Sequence, residues 1–336
     1  NRVIHLVFLQ SRRCTSPGKH SFRHSIIVLT MATTRPAYLT LLESGELFQR
    51  VRKAHEHLAS CDVCPLRCGV NRLTGELGIC QTGVLAQVSS YGPHPGEERP
   101  LSGWRGSGTI FFARCNLRCV FCQNADISQL SAGREVNAGE LAELMLDLQK
   151  RGCHNINLVS PSHVIPQILA AIEIAAGKGL ELPIVYNTGG YDSLEMLALL
   201  EGVIDIYMPD MKYADPDLAF KYSRVKDYPR INQAAVLEMQ RQVGDLQIDE
   251  RGLAWRGLLV RHLVLPEGLA GSEAIFKFLA EKVSKNVYLN IMAQYRPAFK
   301  VRGLPGSYPE LNRTIHPGEY QAAINAAKKL GLTRLD

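Results

Sequence analysis

Long apolar runs are missing from this sequence. No stretch of about 18 apolar residues occurs in its 336 positions, so no helix is expected to span a membrane. Acidic residues are missing before Glu43, which leaves the first segment purely basic. A basic face on the remainder is missing as well. Of the formal charge of +6, five units come from Arg2, Arg12, Arg13, Lys19 and Arg23, so the 306 residues beyond position 30 carry a net +1. Binding to nucleic acid through bulk charge is therefore not expected. A disulfide scaffold is not expected either. Such frameworks belong to small secreted domains, whereas the nine cysteines here lie at 14, 61, 64, 68, 80, 115, 119, 122 and 153, seven of them in two tight groups on a large chain. That clustering points to metal or iron–sulfur ligation in a reducing compartment.

What is present is enough apolar sequence, 46% against 21% charged, to bury a large core as one big domain or one plus a small one. Residues 1–30 begin without methionine and are followed by Met31-Ala32. They read as an organelle transit peptide or as sequence upstream of the true start, and in both cases stand outside the fold. The expected location is cytoplasmic, or an organelle stroma or matrix if the segment is a transit peptide. Residues 31–105 are expected to form an N-terminal helix and a four-cysteine module, and residues 106–336 a barrel.

That barrel follows from an alternation. GTIFF (108–112), NINLVS (155–160), PIVYNT (183–188), VIDIYMPD (203–210), LLVRHLVLP (258–266) and NVYLNIM (286–292) are short β-rich runs. Between them lie helical stretches: one opened by the capping box Asn137/Glu140, one over 165–176, one capped by Asp192 and Glu195, two near 215–224 and 229–242, and one from Ser272 to about Val283. A final helix is expected from about Pro317 to Leu330. Six βα units predict an α/β fold with a parallel sheet, an incomplete (β/α)6 barrel. Chemistry in such folds gathers at the C-terminal ends of the strands. The first of these strands ends where ARCNLRCVFCQN (113–124) begins.

That loop carries Cys115, Cys119 and Cys122 at C-x3-C-x2-C spacing, with no fourth cysteine until Cys153. An iron–sulfur cube usually takes four protein ligands, so three leave one iron open to something reactive. A zinc site completed by a distant histidine and a coincidental run are the alternatives. Upstream, Cys61, Cys64, Cys68 and Cys80 form a C-x2-C-x3-C-x11-C quartet. Four thiolates can close a structural zinc site or hold a second, complete [4Fe–4S] cluster, and spacing does not choose between them. Such a site would fold residues 55–105, which have few apolar residues of their own.

The three-cysteine motif, with Phe121 directly before its last cysteine, resembles the signature of the radical S-adenosylmethionine (SAM) superfamily. CPLRCGVNRLTGELGIC, HNINLVSPSH, PIVYNTGGY, DIYMPDMKY, RHLVLP and NIMAQYRP extend the likeness towards homologues of pyruvate formate-lyase activating enzyme. The resemblance implies a [4Fe–4S] cluster on Cys115, Cys119 and Cys122 with SAM on its open iron. It also implies reductive cleavage of SAM to a 5′-deoxyadenosyl radical, an electron donor such as flavodoxin or ferredoxin, and a glycyl radical enzyme as protein substrate. Candidate cofactor-binding residues are Phe121, Ser160, Asn187, Asp210, Lys212 and Arg261, of which Asp210-Met211-Lys212 matches the family's D-x-K pair. Two departures stand out. Ser160-Pro161 occupies the place of the Gly-Gly-Glu that receives the SAM amino group, and the family's histidine after the sixth strand is absent, leaving Gln294 or Tyr295 there. His154, His163 and Cys153 read as structural residues, and residues 96–100 as a polar linker or a hinge over the active face. The competing functions are a glycyl-radical-enzyme activase, a radical SAM enzyme acting on another protein or a small molecule, and a non-catalytic metal-binding protein.

Overall fold

The parallel strands are built from apolar and β-branched residues on both faces, as strands covered by helices must be. In the computed structural model, which describes residues 35–130, 132–304 and 306–336, the sheet contains β1 Ala86–His94, β2 Ser107–Phe112, β3 Arg134–Val136, β4 Ile156–Val159, β5 Ile184–Thr188, β6 Ile206–Pro209, β7 Gln247–Ile248, β8 Ala254–Leu263 and β9 Tyr288–Met292. Its order is β3-β1-β2-β4-β5-β6-β8-β7, and β9 pairs with β8. The contacts β2–β4, β4–β5, β5–β6, β6–β8 and β8–β9 are all parallel, and the other three strands pair antiparallel. The six parallel strands are the six read from the sequence. Among the described strands β2 and β9 do not pair, so the barrel is incomplete.

The alternation of side chains along each strand separates two environments. Ile110, Ile156, Leu158, Ile184, Tyr186, Tyr207, Leu258, Val260, Leu289 and Ile291 join the main core under the helices. That core takes Leu141, Met145 and Leu148 from the helix Ala138–Lys150 and Ile165, Ile168 and Ile172 from Ile165–Gly177. Val185, Ile206, Met208 and Leu259 form a separate cluster on the other face, together with Leu101 from the short helix Arg99–Ser102. Leu101 thus plugs the barrel, and Asn155 Nδ2 donates to its carbonyl at 2.9 Å. Truncating a side chain so fully buried costs about 2–5 kcal/mol.

The helices follow the sequence closely. The Asn137/Glu140 capping box opens Ala138–Lys150, and the last helix spans Pro317–Lys329. One cap differs. Ser193, not Asp192, caps Leu194–Leu200, because Asp192 is buried and accepts from Tyr186 Oη and Thr188 Oγ1. The expected helix after Ser272 ends at Phe278 and passes into a π turn, Leu279–Val283. The stretch before residue 106 shares the barrel's architecture: β1 belongs to the same sheet, and Leu58, Cys61 and Val63 enter the main core. The described residues fall within one compact unit, Thr34–Asp336. Residues 1–30, for which a leader was expected, lie outside the described residues.

Candidate active site

The loop after β2 is held from both sides. Ala113 N donates to Gln87 O at 2.8 Å, Arg114 N to Ile127 O at 3.0 Å and Val120 N to Tyr222 O at 2.8 Å. Phe121 is buried as a wedge, its ring edge-to-face with Tyr295 at 5.7 Å and Tyr213 at 6.5 Å. Each sulfur meets one polar group: Leu117 N–H donates to Cys115 Sγ at 3.4 Å, and the Ser223 and Ser128 hydroxyls lie within hydrogen-bond distance of Cys119 Sγ and Cys122 Sγ, at 3.0 and 3.2 Å. Tyr213 Oη is 2.8 Å from Ser223 Oγ and extends that chain.

Burial pushes the Cys115 thiol up to about 12, with Cys119 and Cys122 adding to the shift, and it raises Cys119 against the pull of Lys212. Three mutually interacting thiols, Cys119 buried and Cys115 and Cys122 half-buried, each with a polar hydrogen-bonding group at its sulfur, fit a cationic iron–sulfur group, which takes thiolates and is tuned by bonds to their sulfurs. Among the described residues no three or more His, Cys, Asp or Glu side chains are already drawn together as ligands of a metal ion.

The polar candidates of β5, β6 and β8 converge inside the barrel. Arg261 Nε donates to Asp210 Oδ1 at 3.1 Å and Arg261 Nη2 to Asn187 Oδ1 at 2.9 Å, while Lys212 Nζ lies 2.6 Å from Asp210 Oδ2. Burial alone would raise the Asp210 carboxyl, but Lys212 and Arg261 hold it below the usual range. Burial would likewise lower Lys212, yet Asp210 and the neighbouring Cys119 hold it above its ordinary value. The helix Tyr228–Val243 fixes the backbone beneath: Tyr228 Oη donates to the carbonyls of Gly189 and Asp210, and Asn232 Nδ2 to those of Gly190 and Asp210. Gly190 must be glycine, since φ is +77° and a Cβ would fall 2.2 Å from Asp210 O.

The remaining expectations divide. Ser160 has φ +60°, a left-handed conformation that glycine adopts freely, and its N–H donates to Asn187 O at 2.9 Å. It keeps the conformation a glycine would adopt at the end of β4 while offering a hydroxyl. Tyr295 is committed elsewhere, its hydroxyl donating to Leu311 O at 2.7 Å, whereas Gln294 is exposed and its carbonyl accepts from Gln123. His154 packs edge-to-face on Trp104, and His163 is buried with Nε2 3.1 Å from Ala113 O. Cys153 is a small core residue.

Residues 96–100 are not a solvated linker. Glu97 Oε2 lies 3.6 Å from Arg261 Nη1, and Glu98 Oε1 accepts from Asn290 Nδ2 of β9 at 2.7 Å. Burial raises the Glu97 carboxyl even though Arg261 opposes it. With Asn290, Gln294 and Asp336 they line a cavity of about 240 Å³. Sequence reasoning did not single out Ser223, or the partners of Glu97 and Glu98 within the stretch 96–100, because partners far apart in sequence have no spacing to betray them; Ser128, six residues after Cys122, was also not singled out.

A parallel barrel that carries three thiols on the loop after its first parallel strand, beside an Asp–Lys–Arg–Asn ring, defines an iron–sulfur enzyme of the SAM-cleaving kind. The chain belongs to the radical SAM superfamily, whose family model matches residues 109–255. It is 32% identical over 291 residues to uncharacterized protein MJ0674 of Methanocaldococcus jannaschii, covering 84% of this chain and 78% of that protein. Two solved structures are similar at low identity. One is HydG, a maturase of the [FeFe]-hydrogenase, with 13% identity, TM-score 0.45, and coverage of 66% of this chain and 48% of that one. The other is TsrM, a radical S-adenosylmethionine methyltransferase from Kitasatospora setae, with 12% identity, TM-score 0.41, and coverage of 65% and 50%. The chain spans about half the length of each. Membership of the superfamily implies a [4Fe–4S] cluster and SAM.

Proposed function

We propose that Cys115, Cys119 and Cys122 hold the cluster, and that SAM lies between this loop and the Asn187, Asp210, Lys212 and Arg261 ring. The carrying observation is the set of three thiols, each within hydrogen-bond distance of one polar group, with the Lys212 ammonium acting on Cys119. When bound, the cluster and SAM supply one-electron cleavage of the sulfonium to methionine and a 5′-deoxyadenosyl radical. The chain's residues do the positioning. Asp210 and the Ser160 hydroxyl offer acceptors to an ammonium, Lys212 and Arg261 offer donors to a carboxylate, and Phe121 closes the loop from behind.

For the substrate, the reading is a glycyl-radical-enzyme activase, in which the radical removes a Cα hydrogen from a glycine of a partner protein. The lateral gap where β2 and β9 do not pair with each other supports it by leaving room beside the barrel for a peptide loop. A second reading, a small polar substrate, is favoured by the Glu98–Asn290 contact across that side and by Asn157 Nδ2 and Oδ1, which are buried without a partner. The experiment is anaerobic incubation with SAM, a strong reductant and host extract labelled with α-deuterated glycine, separated by size. An activase yields deuterated 5′-deoxyadenosine with the protein fraction. Deuterium transfer from the small-molecule fraction alone would overturn that role in favour of the second reading.

A further inference from the structure

Arg72 lies in the short turn Arg72–Thr74, is only 1% exposed, and forms no ion pair with a carboxylate among the described residues. Its Nη1 donates to His163 O at 2.8 Å and its Nη2 to Cys80 Sγ at 3.4 Å, while Nε has no partner. Burying a guanidinium without an anion costs several kcal/mol, so a negative charge belongs beside it.

The acids within its reach are thiols. Cys61 and Cys64 both interact electrostatically with Arg72, Cys64 also interacts with Cys61 and Cys80, and Cys61 with Cys68. The backbone amides of Val63 and Leu66, two residues after Cys61 and Cys64, favour the thiolates of those cysteines, as Leu117 N–H, bonded to Cys115 Sγ, does for Cys115. The backbone draws the pieces together: Cys61 N donates to Val70 O at 2.9 Å and Gly69 N to Cys61 O at 2.9 Å. Gly78 admits the third sulfur, because a Cβ there would lie 2.4 Å from Cys68 Sγ.

We propose that Cys61, Cys64, Cys68 and Cys80 bind a resident metal centre of their own, with Arg72 as its built-in counter-charge. Four thiols release four protons to solvent as the metal enters; zinc binds without electron transfer, and a cube reaches its charge without an external oxidant when it is assembled from two ferrous and two ferric ions with four sulfides. One zinc ion or one four-iron cube leaves a net charge of about −2 on four thiolates, and a buried guanidinium offsets part of that charge. Two struts run from this centre to the SAM-facing loop. Arg118 donates to Ile79 O and, at 3.4 Å, to Cys115 O, and the carbonyl that accepts from Arg72 belongs to His163, whose ring contacts Ala113 O.

The test removes the other site first. The full chain carrying Cys115→Ala, Cys119→Ala and Cys122→Ala is incubated anaerobically with zinc, iron and sulfide, desalted and analysed by elemental mass spectrometry. One zinc or four irons per chain is expected, the ratio naming the occupant. Adding Cys64→Ala and Cys80→Ala should lower the count below about one tenth, and Arg72→Met should speed release to a chelator more than about tenfold. A triad-free chain that retains neither metal overturns the proposal, whether or not the quartet variants fold. Because the SAM-facing ligands are already gone, that outcome leaves the proposed SAM chemistry untouched.

Discussion

The two cysteine groups place the same residue type in different surroundings. The three thiols after β2 sit beside a ring of ionised side chains, Asp210, Lys212 and Arg261, and one polar group bonds each sulfur. Upstream, Cys61, Cys64 and Cys80 lie by the buried cation Arg72, which forms no ion pair with a carboxylate among the described residues. Exchange of a bound molecule needs charged partners of both signs within reach; a closed centre needs only charge balance. On the proposed reading, ligand number and local charge together, not cysteine count alone, separate a reactive position from a brace.

Breaking that contrast should be most costly at the open site. Cys119→Ala should lower anaerobic 5′-deoxyadenosine formation more than about 100-fold, beyond the 10–100-fold typical of changes around metal ligands; release at the wild-type rate would sink the assignment of the triad. Arg72→Met should cost about 3–5 kcal/mol of stability in the metal-loaded protein, because it leaves buried thiolates uncompensated. Its urea midpoint should fall while iron at the triad persists.

His163 lies between the two regions. Burial, with Arg72 adding to it, pushes its imidazole down to about 3, so the folded protein keeps it neutral where the unfolded chain, near 6.5, takes up a proton. The unfolded state therefore binds more protons between those values, and stability falls on acidification through that window by up to about 1.4 kcal/mol per pH unit. His163→Gln should flatten the slope between about pH 5 and 6.5, and an unchanged slope would remove His163 as the cause. The smallest effect is expected at Ser223→Ala. Losing one hydroxyl from Cys119 should slow SAM cleavage by about tenfold or less, with a shift in the potential of the bound cluster.

Much of this was readable in advance, for reasons that differ by residue. The six parallel strands and the capping box at Asn137 announce themselves because both are local: a short β-branched run and an i, i+3 pair need no distant partner. Asp210 and Lys212 came from the resemblance to the family's D-x-K pair, and the two side chains do pair in the fold. Asp192 was misread as a cap because its buried partners Tyr186 and Thr188 outweighed the local signal. The stretch 96–100 was misread as linker because Glu97 and Glu98 find Arg261 and Asn290 more than 150 residues away.

By itself, then, the sequence determined the strand-and-helix alternation, the two clusters of cysteines and the loop after the first parallel strand that carries one of them. Those are written in spacings of a few residues, which chain geometry converts directly into shared faces and loops. The tertiary structure alone decided which hydroxyl bonds which sulfur, that Arg72 is buried against Cys80, and that two glutamates pin the barrel's side. Such partners are chosen by the burial of polar groups, which makes every donor and acceptor inside the fold seek a match that the linear order does not display.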